Sequence, residues 1–314
     1  MRVVALAGGV GGAKLAQGLQ STVGRDLTVV VNTADDLERH GLLVSPDVDT
    51  VMYTLAGLAD REQGWGLAGE SWNASEMLAR YGEETWFRLG DRDLATHIVR
   101  TYRVRGGELL ADVTLRLAAP LGVSATVLPM TNDRVRTQVR TDDGWLDFQD
   151  YFVRLRQEPT VHEVRFAGIE RATVPARVRG ELGYAEIVVI APSNPIVSIG
   201  PILAVPGMRE LLAAARRGGS PVVAVSPIVG GRALKGPADR MLASLGHEAT
   251  ALGVARLYEG IIDLFVVDRV DAGLAPEIEG LGMKVLVTDT VMTDDASRAR
   301  LAGGVLESAA QLRA

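Results

Sequence analysis

The stretch VVALAGGVGGAKLAQGL, from Val3 to Leu19, decides the fold. A continuous apolar run, Val3 to Ala7, precedes the glycines, and a helical pattern follows them. The glycines are Gly8, Gly9, Gly11 and Gly12. A strand, a tight turn and a helix start in this order open a βαβ unit, and the free amides of such a helix start can receive an anion. The alternative is a turn whose glycines only let the first helix pack closely on the sheet.

The spacing of these glycines excludes two well-known nucleotide loops. The segment that contains Lys14 does not match the P-loop pattern G-x-x-x-x-G-K-[ST]. It does not match the dinucleotide pattern G-x-G-x-x-G either, because Gly9-Val10-Gly11 is followed by Ala13 and Lys14 and the third glycine is missing. The sequence therefore predicts an anion-binding loop of neither type.

Further continuous apolar runs recur along the chain and alternate with helical stretches. They begin near Leu27, Ala185, Pro221, Asp263 and Met283. Runs of this kind are typical of parallel strands buried on both faces. We therefore expect an α/β fold with a doubly wound, mostly parallel, Rossmann-like sheet.

The middle of the chain has a different pattern, helical up to about Leu121 and β-rich after it. We expect residues 47–160 to form a cap domain, inserted after the second strand. Residues 1–46 and 161–314 then form the Rossmann-like core.

Composition excludes several classes of protein and site. The 314 residues carry a net charge of −6, which argues against a nucleic-acid binder that neutralises phosphates. There is no cysteine and the four histidines are scattered, so a metal would be a hard, oxygen-liganded ion. The N-terminus does not read as a signal peptide and no long apolar run follows, so we expect a cytoplasmic protein without membrane association.

An acidic segment, NTADDLERHGLLVSPDVDT, follows the second predicted strand. Its aspartates are Asp35, Asp36, Asp47 and Asp49. Ligands of open α/β sheets bind outside the carboxyl ends of the strands, where this segment begins. Mg²⁺ typically takes one or two carboxylates together with phosphate oxygens, so the segment predicts a magnesium site. The alternative is that Asp47 stabilises a helix start and the other acids are solvated.

Three further segments carry polar side chains that could contact a ligand. LGDRDLATHIVR, preceded by Arg88, predicts a polar rim on the cap. APSNPIVSIGPIL and SPIVGGRALKGPADRM each follow a predicted strand and could line a phosphate. Solvated helix starts and mobile basic loops are the alternatives. The candidate residues of the last two segments are Ser193, Asn194, Ser198, Gly230 and Lys235.

Taken together, these strings resemble the family of 2-phospho-L-lactate transferases, which act in the biosynthesis of the deazaflavin coenzyme F-420. The resemblance rests on GGVGGAKL, VVNTADD, SPDVDTVMYTLAG, LGDRDLATHIVR, LPMTND, FQDYFVR and APSNPIVSIGPIL, which occur in this order over nearly the whole chain. It implies transfer of a phospholactyl group, or in bacterial members a phosphoenolpyruvyl group, from a guanosine-diphosphate-linked donor. The acceptor would be the terminal ribityl hydroxyl of the deazaflavin precursor Fo, with release of GMP. It also implies Mg²⁺ as the metal and a homodimer.

The resemblance also implies roles for particular residues. Asp35 and Asp49 would be catalytic and hold the metal. Fo would contact Asp49, Arg88, Asp91 and His97. The donor would contact Gly8, Gly9, Gly11, Gly12, Lys14, Ser193, Asn194, Ser198, Gly230 and Lys235. The GGVGG form of the first loop, where some archaeal members have GGTGT, is similar to the bacterial branch.

Two other functions remain open at the level of the residues. The early glycines and Asp35 also suit an NAD(P)-dependent oxidoreductase, although the glycine spacing fails. A non-catalytic regulator that binds a nucleotide sugar on a similar core is the second alternative.

Overall fold

The computed structural model describes residues 1–313. The strands are β1 (Val3–Ala7), β2 (Leu27–Val31), β3 (Leu37–Arg39), β4 (Leu42–Val44), β5 (Thr126–Pro129), β6 (Arg136–Thr141), β7 (Gly144–Asp147), β8 (Glu163–Ala167), β9 (Ile187–Ile190), β10 (Val222–Val225), β11 (Ile228–Val229), β12 (Arg232–Ala233), β13 (Leu264–Asp268) and β14 (Lys284–Thr288).

The α-helices are α1 (Gly9–Val23), α2 (Pro46–Leu55), α3 (Asn73–Arg80), α4 (Asp93–Arg105), α5 (Leu110–Ala118), α6 (Ala176–Tyr184), α7 (Ile199–Ala204), α8 (Met208–Arg217), α9 (Ala238–Ser244), α10 (Ala251–Leu257), α11 (Ala275–Glu279) and α12 (Asp295–Ala310). Short 3₁₀ turns span Gly24–Asp26, Ala119–Leu121, Ile169–Arg171 and Arg269–Leu274. One π-helical turn spans Asp150–Arg154.

The main sheet has seven strands in the order β14-β13-β10-β9-β1-β2-β5. Every neighbouring pair is parallel, which confirms the predicted doubly wound sheet. The chain runs outward from β1 in one direction and from β9 in the other, so the strand order reverses between these two strands. Ligands of such sheets bind in the crevice at this reversal, outside the carboxyl ends of the strands.

Alternation along the strands gives the sheet two apolar faces. In β1, Val4 and Leu6 join one core, while Val3, Ala5 and Ala7 join the other. Helices α1, α2 and α12 cover the face of Val3, and helices α5 to α11 contribute to the opposite core. Both faces of the strands are therefore buried, which explains why their sequences are apolar without interruption.

Two strands lie differently from what the predicted cap boundaries imply. The run Thr126–Pro129 falls within the range predicted for the cap, but it pairs with β2 as the last strand of the main sheet. The cap's own antiparallel sheet, in the order β7-β6-β8, reaches Glu163–Ala167, beyond the predicted end at residue 160. A short apolar run does not indicate which sheet it joins, because either partner would bury it equally well. The division into two domains stays a prediction.

Among residues 1–313, no helix is both long enough and apolar enough to cross a bilayer.

The glycines after β1 allow two segments to approach closely at the reversal point. Helix α1 begins at Gly9, so Gly11 and Gly12 already lie in its first turns. A Cβ on Gly11 would lie 2.3 Å from the main-chain oxygen of Pro192, and one on Gly12 would lie 2.6 Å from Ser193 Oγ. Both distances are far below van der Waals contact. The turn after β9 can therefore pack against α1 only because these positions lack a side chain.

We expect Gly11→Ala to destabilise the protein by about 1–3 kcal/mol, because its methyl group would force the backbone of the β9 turn to move. The free energy of unfolding in urea measures this. The matched control is Gly303→Ala in α12, where a Cβ would meet nothing within 4 Å. A helix interior favours alanine over glycine, so the control should be neutral or up to about 1 kcal/mol stabilising. Equal stability of the two variants would contradict the close approach.

Candidate functional site

A cleft of about 750 Å³ opens at the carboxyl edge of the main sheet, where its strand order reverses. Its walls come from the turns after β1, β2, β9 and β10 and from the start of α2. The loop before α4 and the π-helical turn complete the rim. The cleft therefore lies where the sheet topology places ligands.

Ser193 joins the two turns that flank the reversal point. Its Oγ donates to the Gly8 carbonyl at 2.7 Å and accepts from the Gly8 amide at 3.1 Å. Both bonds are buried and link residues 185 positions apart. Because the Gly8 amide is already bound, an anion at this loop must use other donors.

The carboxylates after β2 form a cluster in which Asp35 is buried and Asp36 and Asp47 are half-buried. Asn32 Nδ2 donates to Asp35 Oδ2 and to Asp47 Oδ2, each at 3.0 Å. Asp36 accepts from Ser45 Oγ at 2.7 Å. Asp47 also lies against the start of α1, since a Cβ on Gly8 would lie 2.6 Å from its Oδ2. A carboxylate therefore already faces the helix start that the sequence predicted as an anion site.

Burial makes these carboxylates weak acids. It raises the pKa of Asp36 to about 7 and that of Asp47 to about 6. Burial and then the charge of Asp47 raise the pKa of Asp35 well above its usual value. Asp35 Oδ1 is buried without a hydrogen-bond partner among residues 1–313. The cluster therefore contains an acceptor oxygen that no donor among the described residues satisfies.

Asp49, in α2, is an acidic residue that is paired with a cation inside the protein. Arg100 is fully buried and binds both oxygens of Asp49, with NH1 at 3.0 Å from Oδ2 and NH2 in contact with Oδ1. Burial acts to lower the pKa of Arg100, but the charge and hydrogen bonds of Asp49, together with the charge of Asp36, outweigh it and the pKa is raised. This bidentate pair fixes α4 against α2.

His97 and Asp93 extend this pair towards the cleft. His97 Nδ1 lies 3.2 Å from Arg100 NH1, and because arginine only donates, this nitrogen accepts and the proton is on Nε2. Nε2 lies 3.1 Å from Asp93 Oδ2, while Tyr53 donates to Asp93 Oδ1 at 2.6 Å. Burial acts to raise the pKa of Asp93, but the neighbouring His97 imidazole, the Tyr53 hydroxyl and the Arg100 guanidinium lower it overall.

Two sets of side chains offer ligand atoms for a metal ion. Asp49, Asp93 and His97 have candidate atoms within 4.8 Å of one another. Both oxygens of Asp49 already bind Arg100, however, so this set carries a competing cation. Asp35 instead offers an unpartnered, buried carboxylate oxygen beside the carboxylate of Asp47, and hard oxygen donors of this kind fit Mg²⁺.

The cleft brings together most of the residues that the sequence singled out. Those that line it are Gly8, Gly9, Gly11, Lys14, Asp35, Asp49, Arg88, His97, Ser193, Asn194, Ser198 and Lys235. Within the described chain, Gly12, Asp91 and Gly230 do not line it. Gly12 packs against Ser193, Gly230 donates from its amide to Asp271, and Asp91 accepts from the amides of Asn73 and Ala74 at the start of α3.

Aromatic side chains form part of the cleft wall, and sequence reasoning missed them. They are Trp65, Trp86, Phe87, Phe148 and Phe152. Phe148 and Phe152 stack with their ring centres 5.4 Å apart, and the guanidinium of Arg88 lies 4.3 Å from the ring centre of Trp72. These rings come from several separate segments, so no local sequence pattern indicates that they form one wall. Planar, aromatic ligands suit such a wall.

Two basic side chains, those of Lys14 and Lys235, also line the cleft. Lys14 Nζ donates to the Met292 carbonyl at 3.0 Å, and Lys235 Nζ donates to the Gln63 carbonyl at 2.9 Å. Burial, and then the charges of Arg298 and Lys235, lower the pKa of Lys14. These cations could neutralise an anionic group in this part of the cleft.

Comparison with known proteins gives one consistent family. Residues 3–294 match the model of the family described as 2-phospho-L-lactate transferase CofD. The phosphoenolpyruvate transferase of Streptomyces griseus is 46% identical, covering 100% of both chains. The 2-phospho-L-lactate transferase of Methanosarcina mazei is 39% identical, covering 98% of this chain and 100% of its own.

Solved structures add evidence on the fold alone. A member of the UPF0052 family from Bacillus halodurans superposes with a TM-score of 0.62 at 15% identity, covering 97% of this chain and 98% of its own. None of these comparisons supports an NAD(P)-dependent oxidoreductase or a nucleotide-sugar-binding regulator.

We expect Arg100→Leu to cost about 3–5 kcal/mol of stability, because it leaves the buried carboxylate of Asp49 without its partner. Urea unfolding measures the change. The control is Arg103→Leu on the same helix, whose pair with Glu108 is partly exposed and should contribute less than about 1 kcal/mol. Comparable losses in the two variants would show that the buried pair is not structurally important.

Proposed function

The chain belongs to the 2-phospho-L-lactate transferase CofD family, and on that basis we propose that it transfers a phosphoenolpyruvyl group to the deazaflavin Fo in coenzyme F-420 biosynthesis. The donor is linked to guanosine diphosphate, the acceptor is the terminal ribityl hydroxyl of Fo, and GMP leaves. The observation that carries the proposal is the family match over residues 3–294, together with a cleft at the strand-order reversal that gathers the motif residues.

The choice of a phosphoenolpyruvyl donor rests on the bacterial relatives. The relatives from Streptomyces griseus and Mycobacterium ulcerans, 46% and 40% identical, carry the name phosphoenolpyruvate transferase. The GGVGG form of the first loop also resembles the bacterial branch. A phospholactyl donor differs only in lacking the enol double bond, and is the alternative that product analysis distinguishes.

We assign the two substrates to opposite parts of the cleft. The turns after β1 and β9, with Lys14 and Lys235, suit the anionic diphosphate of the donor. The aromatic wall and the Arg88 guanidinium suit the planar ring of Fo. The two substrates then meet at the carboxylates after β2.

Mg²⁺ fits at these carboxylates for an electrostatic reason. A diphosphate brought to the start of α1 would face the carboxylates of Asp35 and Asp47, and the like charges would repel. We propose that Asp35, through Oδ1, holds Mg²⁺ beside Asp47, and that the bound ion would neutralise the charge between donor and protein. Asp49 was the second predicted ligand, but its bond to Arg100 favours a role in fixing α2 instead.

The transfer itself requires positioning and one proton transfer. The Fo hydroxyl oxygen attacks the phosphorus that carries the enolpyruvyl group, and the bond from this phosphorus to the GMP oxygen breaks. The hydroxyl proton needs an acceptor. Asp47, whose pKa is raised to about 6, is suited to accept it near neutral pH, while Asp35 would hold the metal.

The homodimer stays a prediction. Helix α4 exposes Ile98 and Tyr102, which are 54% and 78% exposed and suit a contact with another chain.

Mass spectrometry of the product tests the function directly. The purified chain is incubated with Fo, Mg²⁺ and either the enolpyruvyl or the lactyl guanosine diphosphate donor. We expect a product that is Fo joined to the phosphoenolpyruvyl group, together with one GMP per product. Exclusive use of the lactyl donor would correct the donor, and no product from either would refute the proposed function.

We expect Asp35→Asn to lower turnover by about 10²–10⁴-fold, the range for losing a catalytic carboxylate, and to remove the rise in melting temperature caused by Mg²⁺. Asp93→Asn is the matched control, because Asp93 belongs to the other candidate metal group. The control should keep its response to Mg²⁺. Loss of the response in Asp93→Asn but not in Asp35→Asn would move the metal to the group of Asp49, Asp93 and His97.

A further inference from the structure

We propose that Asn32 and Gln149 are positioning residues that hold Asp35 at both its side chain and its main chain, so that one carboxylate oxygen is presented to the reacting groups. The inference rests on the proposed function, because it concerns how Asp35 acts in the transfer. Neither residue was among the predicted site residues, although Gln149 lines the cleft and Asn32 ends the strand β2.

Asn32 holds the side chain of Asp35. It is fully buried, and its Oδ1 accepts from the Ala34 amide at 2.9 Å. An amide N–H can only donate, so this bond fixes which end of the Asn32 side chain is oxygen. Nδ2 therefore faces the acids, and it donates to Asp35 Oδ2 and Asp47 Oδ2, each at 3.0 Å.

The donors of Asn32 are fully used. Nδ2 also lies 3.2 Å from the Val197 carbonyl, so two N–H groups serve three acceptors. The two carboxylates are thereby held side by side although like charges repel. Asp35 Oδ2 is committed to this bond, which leaves the buried Oδ1 as the carboxylate oxygen without a hydrogen bond among residues 1–313, on a carboxyl whose pKa the Thr137 hydroxyl also lowers.

Gln149 holds the main chain of Asp35. Its Nε2 donates to the Asp35 carbonyl at 3.1 Å, across 114 residues of sequence, and the bond is buried. The residue directly precedes the π-helical turn Asp150–Arg154. Its neighbours Phe148 and Tyr151 pack in a small apolar cluster, so the backbone that carries Gln149 is fixed.

The two hydrogen bonds differ from ordinary structural contacts because both of them hold the same residue, Asp35. One fixes the carboxylate and the other fixes the backbone of the same residue, and they come from segments that are far apart in sequence. A reacting group misplaced by about 1 Å can lose about 10²-fold in rate. Asp35 follows the end of a strand in a turn, so its position depends on such outside contacts.

The test begins with Gln149→Leu, which keeps the approximate size but removes the donor. We expect kcat to fall about 10- to 100-fold, with KM for Fo within about twofold of wild type if the substrate still binds normally. The matched control is Gln138→Leu, in the strand β6. Nε2 of Gln138 donates to Asp147 at 2.8 Å, and neither residue lines the cleft. The control should keep kcat and KM. Wild-type kcat in Gln149→Leu would overturn the proposal.

A double variant shows whether Gln149 acts through Asp35. In the Asp35→Asn background, Gln149→Leu should change kcat by no more than about twofold, because the group it positions is already lost. A further loss as large as in the wild-type background would overturn the proposal, since Gln149 would then act independently. If Gln149→Leu does not fold, Asn32→Ser, which replaces the two N–H donors with a single shorter hydroxyl, takes its place with the same criteria.

A binding measurement separates this proposal from the proposed function. If wild-type protein transfers nothing to Fo, the function fails, and Mn²⁺ binding followed by electron paramagnetic resonance decides the positioning alone. Equal weakening of Mn²⁺ binding in Gln149→Leu and Asp35→Asn supports it. Wild-type affinity in either variant overturns it.

Discussion

The close approach of the turns after β1 and β9 is the constraint on which the site depends. Gly11 and Gly12 leave no room for side chains, and Ser193 closes the gap with two bonds to Gly8. Because β1 and β9 are where the strand order reverses, this contact sets the floor of the cleft. The acids after β2, the neighbouring strand, are then placed directly beside it.

The acidic residues beside this floor differ in whether a cation of the protein compensates their charge. Asp49 is compensated inside the protein by Arg100, and this pair serves the packing of α2 against α4. The ion pairs of residues 1–313 include none to Asp35 or Asp47, whose raised pKa values report the cost of their burial. Burying carboxylates without a partner is unfavourable, so such a pair is retained where a cation or a proton is part of the function.

The sequence predicts the fold better than the site. The apolar run Val3–Ala7 with its glycines suffices for the sheet, because burial on both faces leaves a strong pattern. The run Thr126–Pro129 was misplaced, since pairing partners are set by tertiary contacts. Asp93, His97 and Arg100 stand at i, i+4 and i+7 on one face of α4, so helical periodicity could have found their network. The aromatic wall has no such signal, because its rings come from distant segments.

The residues that hold Asp35 show that a sequence motif contains only some of the residues of its site. The string NTADD contains both Asn32 and Asp35, and their bond spans only three residues, so a local reading can propose it. The contact of Gln149 crosses 114 residues, so it depends on tertiary structure and has no local signal in the sequence. A carboxylate in a turn is mobile by itself, whereas one bound at both ends has a single orientation. The segment of Gln149 therefore does more than line the cleft, because it also supports the backbone that carries the carboxylate.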